Sequence, residues 1–189
     1  KWHSPEGNIS LSIAFADREF DVPISIATGI LVKDALTEVF NLDSIKLKWP
    51  NDLVFEKKKI GGILVEKEVF SNYTKAIVGI GINLELDKKE SWWGDFGDLN
   101  GKNLRDKIIN KILVKFEALF RDGLNDWKNL WNQSCIHNDA IISVARNDEI
   151  IKGKYLGIND SGELLLEKKI GEIISFSSGE VSIKGIYNK

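Results

Sequence analysis

The sequence is poor in sulfur and imidazole side chains: its 189 residues include no methionine, one cysteine and two histidines. The single cysteine, Cys135, cannot form an internal disulfide, which is typical of a protein from a reducing compartment. His3 and His137 have no partners at metal-ligand spacing, so we expect no metal ion bound by the protein itself. The absence of methionine, with a chain that begins at Lys1, predicts that the natural protein has residues before Lys1.

Long hydrophobic runs and an excess of charge of one sign are also missing. No apolar run approaches the roughly 20 residues of a membrane helix, and no signal peptide begins the chain. These absences predict a cytoplasmic protein with no membrane partner. Lysine and arginine number 26 against 28 aspartate and glutamate residues, a formal net charge of −2. Because tight binding to a phosphate backbone needs a basic surface, we expect no nucleic acid to bind through this segment.

The sequence does contain a pattern of predicted strands and helices, and residues 8–86 include both kinds of element. Residues 8–16 alternate between apolar and polar, which predicts a strand, and residues 25–40 have apolar positions at helical spacing, with Ser25 as the N-cap. Residues 53–56 and 60–66 form a predicted hairpin, and residues 76–86 a third strand. We therefore predict an α+β fold with a mixed β-sheet that has helices on one side.

The second group consists of helices followed by short strands. Apolar residues at helical spacing predict a helix over 104–119, with Asn103 and Gly123 as its caps, and a shorter helix over 124–133. From Asn138 onward, five short strands separated by turns predict a small antiparallel barrel of about 50 residues. We expect two domains, with residues 1–135 as a core and residues 136–189 as the barrel.

The most informative stretch runs from Lys48 through Trp49, Pro50 and Asn51 to Asp52, and is followed by Lys57-Lys58-Lys59-Ile60-Gly61-Gly62. A carboxylate, an amide and an ammonium group that converge at the end of a sheet suit an anionic ligand such as a phosphate or a carboxylate. Two glycines within a strand are expected where a ligand or a backbone approaches closely. The alternative is that the lysines form a solvated hairpin tip and that Asn-Asp is ordinary turn chemistry.

Three motifs together resemble the catalytic core of biotin protein ligases: KWPND at 48–52, KIGGILVE at 59–66 and GIGIN at 79–83. The first eight residues, KWHSPEGN, resemble the segment that follows the glycine- and arginine-rich biotin loop of that family. GELLLE at 162–167 and SGEVS at 178–182 resemble its C-terminal domain. The resemblance implies a core like that of biotin and lipoate ligases, followed by an SH3-like barrel. It places the biotin loop, and the helix-turn-helix domain of some members, upstream of Lys1.

The resemblance also implies roles for individual residues. Lys59 would contact the biotin carboxylate and then the adenylate, and Asp52 and Asn51 would orient the incoming lysine amine. The biotin site would further include Gly61, Gly62, Ile63, Gly79, Gly81, Ile82 and Trp2. The nucleotide site would include Lys48, Asn83, Trp92 and Trp93, with one of the two tryptophans against the adenine. GIGIN lacks the third glycine and the following helix of a dinucleotide-binding motif, which excludes that interpretation.

The implied activity is ATP-dependent biotinylation. Biotin and ATP would give biotinyl-5′-AMP, with Mg²⁺ held mainly through phosphate oxygens, and a specific lysine of a biotin carboxyl carrier domain would then accept the biotinyl group. Two alternatives remain open: a lipoate or octanoate ligase of related type, and a non-catalytic binding or regulatory module. The sequence leaves the oligomeric state undecided, with a homodimer among the options.

Overall fold

The structure, a computed structural model, describes residues 6–16, 20–71, 74–87, 90–146, 149–178 and 181–184. Trp2 lies outside the described residues. The strands and helices in chain order are β1 (Ile9–Ala16), α1 (Ile24–Phe40), β2 (Lys46–Lys48), β3 (Asp52–Phe55), β4 (Lys58–Val69), β5 (Thr74–Ile82), α2 (Arg105–Asp122), α3 (Trp127–Ser134), β6 (Ile141–Arg146), β7 (Glu149–Ile158), β8 (Leu164–Lys169), β9 (Glu172–Phe176) and β10 (Val181–Lys184).

The first five strands form one sheet, which we call the core sheet. Its strand order is β1-β5-β4-β3-β2, and each neighbouring pair of strands is antiparallel. The predicted α+β class is confirmed, but the prediction of a mixed sheet is wrong for these strands. The connections from β2 to β5 are short hairpins, which join antiparallel strands, whereas β1 leads through α1 to β2 and pairs with β5. Parallel pairing among the described residues is limited to two single bridges, Leu47 with Cys135 and Lys59 with Trp93.

The helices cover one face of the core sheet. In β1 the side chains of Ile9, Leu11, Ile13 and Phe15 face the core, while the residues between them are exposed. Helix α1 packs on β2, β3 and β4, and α2 packs on α1 and β1. Because strand side chains alternate between the two faces, the opposite face of the core sheet has no helix over it in the described part of the chain.

Two of the predicted helix caps are wrong. Helix α1 begins after Pro23, whose carbonyl accepts hydrogen bonds from Ile26 and Ala27, so that Ser25 lies inside the first turn. Helix α2 follows Leu104, and the Asn103 side chain instead donates to Asn100 Oδ1 at 2.6 Å. The predicted end at Gly123 is confirmed: its amide donates to the carbonyl of Leu119.

The last five strands form a second sheet, which we call the C-terminal sheet. All five strands that the sequence predicts after residue 138 are present, in the order β10-β6-β7-β8-β9 with antiparallel pairing. Its buried side chains include Val144, Leu164, Leu166 and Phe176. In the part of the chain that the structure describes, β9 and β10 remain edge strands, so the sheet is open and no closed barrel is found.

The two sheets meet along β2. The amide of Ile136 donates to the carbonyl of Leu47 at 2.8 Å, which continues the core sheet with the chain that leads into β6. Next to this contact, the indole of Trp131 in α3 donates to the hydroxyl of Tyr155 in β7 at 2.9 Å. Across the described ranges, no helix is both long enough and apolar enough to cross a membrane.

Candidate functional site

A cavity of about 430 Å³ opens on the face of the core sheet that the helices leave uncovered. Its floor is made by small residues that lie in register across three strands. Ser10 in β1 pairs with Gly81 in β5, and Gly81 pairs with Gly62 in β4. One row further along, Ser12 pairs with Gly79. Because none of these residues carries a large side chain, the sheet surface is hollow at this point.

Lys59 reaches this cavity because of a β-bulge. Leu53 pairs with Gly61 but the next residue, Val54, pairs with Lys59, so that Ile60 is an extra residue in β4. A bulge changes the direction in which a side chain points. Here it brings Lys59 over Gly62: a Cβ atom at Gly62 would lie 3.5 Å from Lys59 Nζ. The ammonium group therefore lies at one end of the cavity lining.

Two lysines share one carboxylate beside the cavity. Asp52 Oδ1 lies 2.5 Å from Lys59 Nζ, and Asp52 Oδ2 lies 3.4 Å from Lys48 Nζ. The Asp52 and Lys48 side chains are only 11% and 10% exposed. Burial lowers the pKa of Lys48, and the carboxylate of Asp52 partly offsets this effect. Two ammonium groups against one carboxylate leave one net positive charge, which attracts an anionic ligand.

Asn51 holds the turn before β3 against β4. The side-chain amide of Asn51 donates to the backbone carbonyl of Ile63 at 2.8 Å, and the backbone carbonyl of Asn51 accepts from the amide of Ile63 at 2.9 Å. Asn51 also lines the cavity. This double hydrogen bond fixes the position of the KWPND turn relative to the floor of the cavity.

Not every residue expected at the biotin site lines this cavity. Gly62, Ile63, Gly79 and Gly81 do, but Gly61 and Ile82 are absent from its lining. Ile82 belongs to the hydrophobic core beneath the sheet. A Cβ atom at Gly61 would collide with the carbonyl oxygen of Gly81 and meet Leu53 at 3.1 Å. The close packing of these strands therefore favours glycine at position 61.

The residues expected at the nucleotide site lie at the end of β4 where the bulge occurs. The amide of Lys59 donates to the carbonyl of Trp92, and the amide of Gly94 donates back to the carbonyl of Lys59, both at 2.9 Å. The side chain of Asn83 donates to the carbonyl of Gly94 at 3.1 Å. Trp92 and Trp93 are half-buried and meet edge to face, with ring centroids 5.5 Å apart. The segment that carries both tryptophans is thus joined directly to the backbone of Lys59.

Sequence reasoning missed Ser10 and Ser12, which line the cavity together with Leu64. The sequence contains only part of the information needed to identify these two serines. The alternation in residues 8–16 shows that Ser10 and Ser12 share a face of the strand. Their place opposite Gly81 and Gly79 depends on the register between β1 and β5, which are separated by more than 50 residues in the chain.

The donor atoms around the cavity fit an anionic organic ligand. They are the ammonium group of Lys59, the hydroxyls of Ser10 and Ser12 and the amide of Asn51, beside apolar surface from Leu64. Among the described residues there is no group of three histidine, cysteine, aspartate or glutamate side chains placed to hold a metal ion.

Comparison with families of known proteins gives two matches. Residues 1–83 match the biotin/lipoate A/B protein ligase family, and residues 141–184 match the biotin protein ligase C-terminal domain. The first range includes β1 to β5 and the cavity, and the second includes the five strands of the C-terminal sheet.

Individual relatives agree with these matches. The bifunctional ligase/repressor BirA of Salmonella typhimurium is 28% identical over 97% of this chain, and BirA of Bacillus subtilis is 29% identical over 90% of it. The chain spans only 61% and 57% of the lengths of these two relatives.

Among solved structures, a biotin protein ligase from Aquifex aeolicus in complex with biotin and ATP is 25% identical, with a TM-score of 0.73. The match covers 97% of this chain and 81% of the Aquifex chain. The order of the motifs, the geometry of the two sheets and these similarities agree. The chain therefore carries a domain of the biotin/lipoate A/B protein ligase family over residues 1–83 and a biotin protein ligase C-terminal domain over residues 141–184.

Proposed function

We propose that the natural protein activates biotin with ATP and transfers the biotinyl group to a lysine of a biotin carboxyl carrier domain. The observation that carries this proposal is the hollow in the core sheet, with Lys59 at one end of it, in a chain whose residues 1–83 match the biotin/lipoate A/B protein ligase family. A floor of glycine and serine admits an apolar ring system with polar groups, and the ammonium group faces a carboxylate at the end of its chain.

The first step joins two anions, and the site supplies the charge for it. A carboxylate oxygen of biotin attacks the α-phosphorus of ATP, the bond to the bridging oxygen breaks, and pyrophosphate leaves. Lys59 and Lys48 carry two positive charges beside the single carboxylate of Asp52. Preorganised cations of this kind reduce the repulsion between the reacting anions and stabilise the charge that develops on phosphorus. Mg²⁺ would be held by the phosphate oxygens of ATP.

The second step transfers the acyl group. The amine of the acceptor lysine attacks the carbonyl carbon of biotinyl-5′-AMP, the carbon–oxygen bond to phosphate breaks, AMP leaves and the amine loses a proton. We assign the orientation of this amine to Asp52 and Asn51, because both side chains are held in place beside the cavity. A mixed anhydride is already activated, so that positioning is the main contribution required of the protein.

The nucleotide lies, in this proposal, on the side of Lys48, Asn83 and the tryptophan pair. The backbone hydrogen bonds between Lys59 and residues 92–94 support this placement, since they join the segment that carries both tryptophans to the lysine that would serve both substrates. Trp2 would cover the biotin chain or the adenylate.

The wider organisation belongs to the same proposal. We infer a catalytic core over residues 1–135 and an SH3-like C-terminal domain over residues 136–189, supported by the separate strand orders of the two sheets and by the family match that begins at residue 141. A homodimer and a cytoplasmic location, where ATP and the carrier domain would be available, complete it. Sedimentation with and without biotin tests the dimer.

The test uses the natural protein, ATP and Mg²⁺, with biotin, lipoate and octanoate compared as acids. We expect pyrophosphate release that depends on biotin, and a carrier domain that becomes biotinylated on one lysine. Release with lipoate or octanoate but not with biotin would replace the proposal by the related ligase activity. Binding of biotin without any release of pyrophosphate would replace it by a regulatory binding module.

A further inference from the structure

The KWPND turn touches the C-terminal sheet through a buried tryptophan. Trp49 is 1% exposed, and its indole donates to the carbonyl of Gly162 at 2.9 Å. Gly162 lies in the turn between β7 and β8. A Cβ atom at Gly162 would lie 3.0 Å from Cγ of Pro23 and 3.3 Å from Ile26, so this turn also packs against the start of α1.

The turn that makes this contact is itself rigid. The side chain of Asn159 accepts from the amides of Ser161 and Glu163, each at 3.0 Å, and donates to the Glu163 carboxylate at 2.7 Å. Ser177 in turn donates to the same carboxylate at 2.8 Å, which joins the turn to the end of β9. The carbonyl of Gly162 is therefore presented to Trp49 by the body of the C-terminal sheet.

In this part of the boundary, the 159–163 turn meets Trp49 and Pro23 through Gly162, and Asp160 forms an ion pair with Lys128 of α3. A cavity of about 180 Å³ lies beside them, lined by serines from both sides, Ser25, Ser161, Ser177 and Ser178. Because the surfaces are not closely packed there, the indole hydrogen bond and the contact of Gly162 with Pro23 carry more of the alignment than they would in a sealed interface.

The other end of the same short turn is the candidate site. Pro50 follows Trp49 and restricts the backbone. Asn51 comes next, with its two hydrogen bonds to Ile63 at the cavity, and Asp52 then holds Lys48 and Lys59. Only two residues, Pro50 and Asn51, thus separate the contact with the C-terminal sheet from the carboxylate between the two lysines, so that a displacement of the indole shifts the turn as a whole.

We propose that Trp49 and the 159–163 turn are positioning elements for catalysis: the C-terminal sheet sets the placement of Asn51 and Asp52 through the hydrogen bond from Trp49 to Gly162. This inference rests on the proposed ligase function, which it deepens by assigning a part of the chemical step to the C-terminal sheet. Neither Trp49 nor Gly162 lines the cavity of about 430 Å³. The glycine and serine floor of that cavity is made by β1, β4 and β5 and not by the KWPND turn, so that loss of the contact moves Asn51 at its rim while the floor keeps its shape.

The first test compares two tryptophans of the natural protein that are equally buried and that each donate one indole hydrogen bond. Trp49→Phe keeps an aromatic ring but removes the indole donor. Trp131→Phe is the control, since Trp131 is also 1% exposed and also donates one hydrogen bond at 2.9 Å, to Tyr155. We expect Trp49→Phe to lower the single-turnover rate of adenylate formation about tenfold, since small displacements of reacting groups cost large factors in rate. The biotin dissociation constant should change less than about twofold.

A second pair of variants moves the turn rather than the tryptophan. Gly162→Ala and Gly171→Ala place a side chain at φ +77° and +81°, so both carry the same backbone strain. A Cβ atom at Gly171 has no atom within 4 Å, whereas one at Gly162 presses on Pro23. We expect a loss of rate of about tenfold for Gly162→Ala and no more than about twofold for Gly171→Ala.

Equal rate losses within each pair of variants, or a tenfold loss of biotin affinity in Trp49→Phe, would overturn the positioning role while leaving the ligase function intact. If the unmodified protein releases no pyrophosphate, the proposed function fails, and hydrogen exchange then decides the inference alone. The amide of Ile63, which donates to Asn51, should exchange faster in Trp49→Phe and not in Trp131→Phe. Identical exchange in the two variants would refute it.

Discussion

The core sheet and the C-terminal sheet are built alike but present different surfaces. Each has five antiparallel strands with one buried face and one face that, among the described residues, no helix covers. On the core sheet, the uncovered face has serine and glycine in neighbouring positions, and a cavity forms there. On the C-terminal sheet, the uncovered face carries larger residues such as Ile141, Ile150, Lys152, Lys154 and Ile173. The size of the residues on that face, and not the topology, distinguishes the candidate binding sheet from a supporting one.

The comparison also shows two uses of glycine within strands. Gly61 in the core sheet and Gly153 in the C-terminal sheet both lie under a neighbouring strand, where a Cβ atom would collide with the carbonyl oxygen of Gly81 or of Glu167. Gly62, directly after Gly61, has ordinary contact distances around a Cβ atom and faces the cavity. Strand packing therefore accounts for the glycine at position 61, while the glycine at position 62 leaves the cavity open.

The largest effect should come from Lys59 of the core sheet, which lines the cavity and pairs with Asp52. Lys59→Ala removes a charge-paired contact beside Asp52, and in the natural protein we expect adenylate formation to fall by a factor of about 30 to several thousand, equivalent to ~2–5 kcal/mol. The exposed Lys57 and Lys58 of the hairpin and Lys154 of the C-terminal sheet are controls whose replacement by alanine should cost under about 1 kcal/mol.

The measurement is biotin-dependent release of pyrophosphate for the four alanine variants side by side. Similar, modest losses in all of them would show that general electrostatic attraction is sufficient. The distinction between a binding sheet and a supporting sheet would then lose its main support.

The next largest effect should distinguish Gly61 from Gly62 in the KIGGILVE motif. Gly61→Ala should destabilise the fold by roughly 3 kcal/mol, because an added methyl group meets backbone that cannot move aside. Gly153→Ala is its counterpart in the C-terminal sheet and should cost a similar amount. Gly62→Ala should leave stability within about 1 kcal/mol and instead weaken biotin binding, since its methyl group enters the cavity.

Urea unfolding and equilibrium binding of biotin check this prediction together. A loss of stability for Gly62→Ala as large as that for Gly61→Ala would contradict it. So would unchanged biotin affinity in a well-folded Gly62→Ala protein.

The smallest effect concerns the boundary between the sheets. His137 is 1% exposed, and burial, with a further contribution from Lys48, lowers its pKa to about 3. The unfolded chain binds a proton near pH 6.5 while the folded chain does not, so stability is lost as the pH falls from about 6.5 towards 3. Between pH 7 and pH 5 this linkage amounts to about 2 kcal/mol.

The check is the free energy of unfolding at pH 7 and pH 5 for the unmodified protein and for His137→Gln. We expect the drop between the two pH values to be about 2 kcal/mol smaller in the variant, whatever its stability at pH 7. Equal drops would mean that His137 gains a proton in the folded protein without cost.

Much of the architecture and the motifs could be predicted from local patterns. Apolar residues at helical spacing located α1 and α2, and alternation located β1 and the strands of the C-terminal sheet, because these patterns reflect which face of a single element is buried. Both N-caps were wrong. At Pro23 the backbone carbonyl, rather than the Ser25 hydroxyl, receives the hydrogen bonds at the start of the helix. The composition supported a globular fold, and the three motifs sufficed to identify the resemblance to biotin protein ligases that the two family matches confirm.

Long-range pairing decided the rest of the candidate site. The bulge at Ile60 directs Lys59 to the face of Gly62, and the register between β1 and β5 puts Ser10 beside Gly81. No residue in the strand itself determines such a register, because it depends on segments far apart in the chain. The sharing of Asp52 by two lysines and the contact of Trp49 with Gly162 have the same origin. Local sequence therefore determined the elements and the motifs, and their assembly determined which side chains meet, since those distances exist only after the strands have paired and the two sheets have packed.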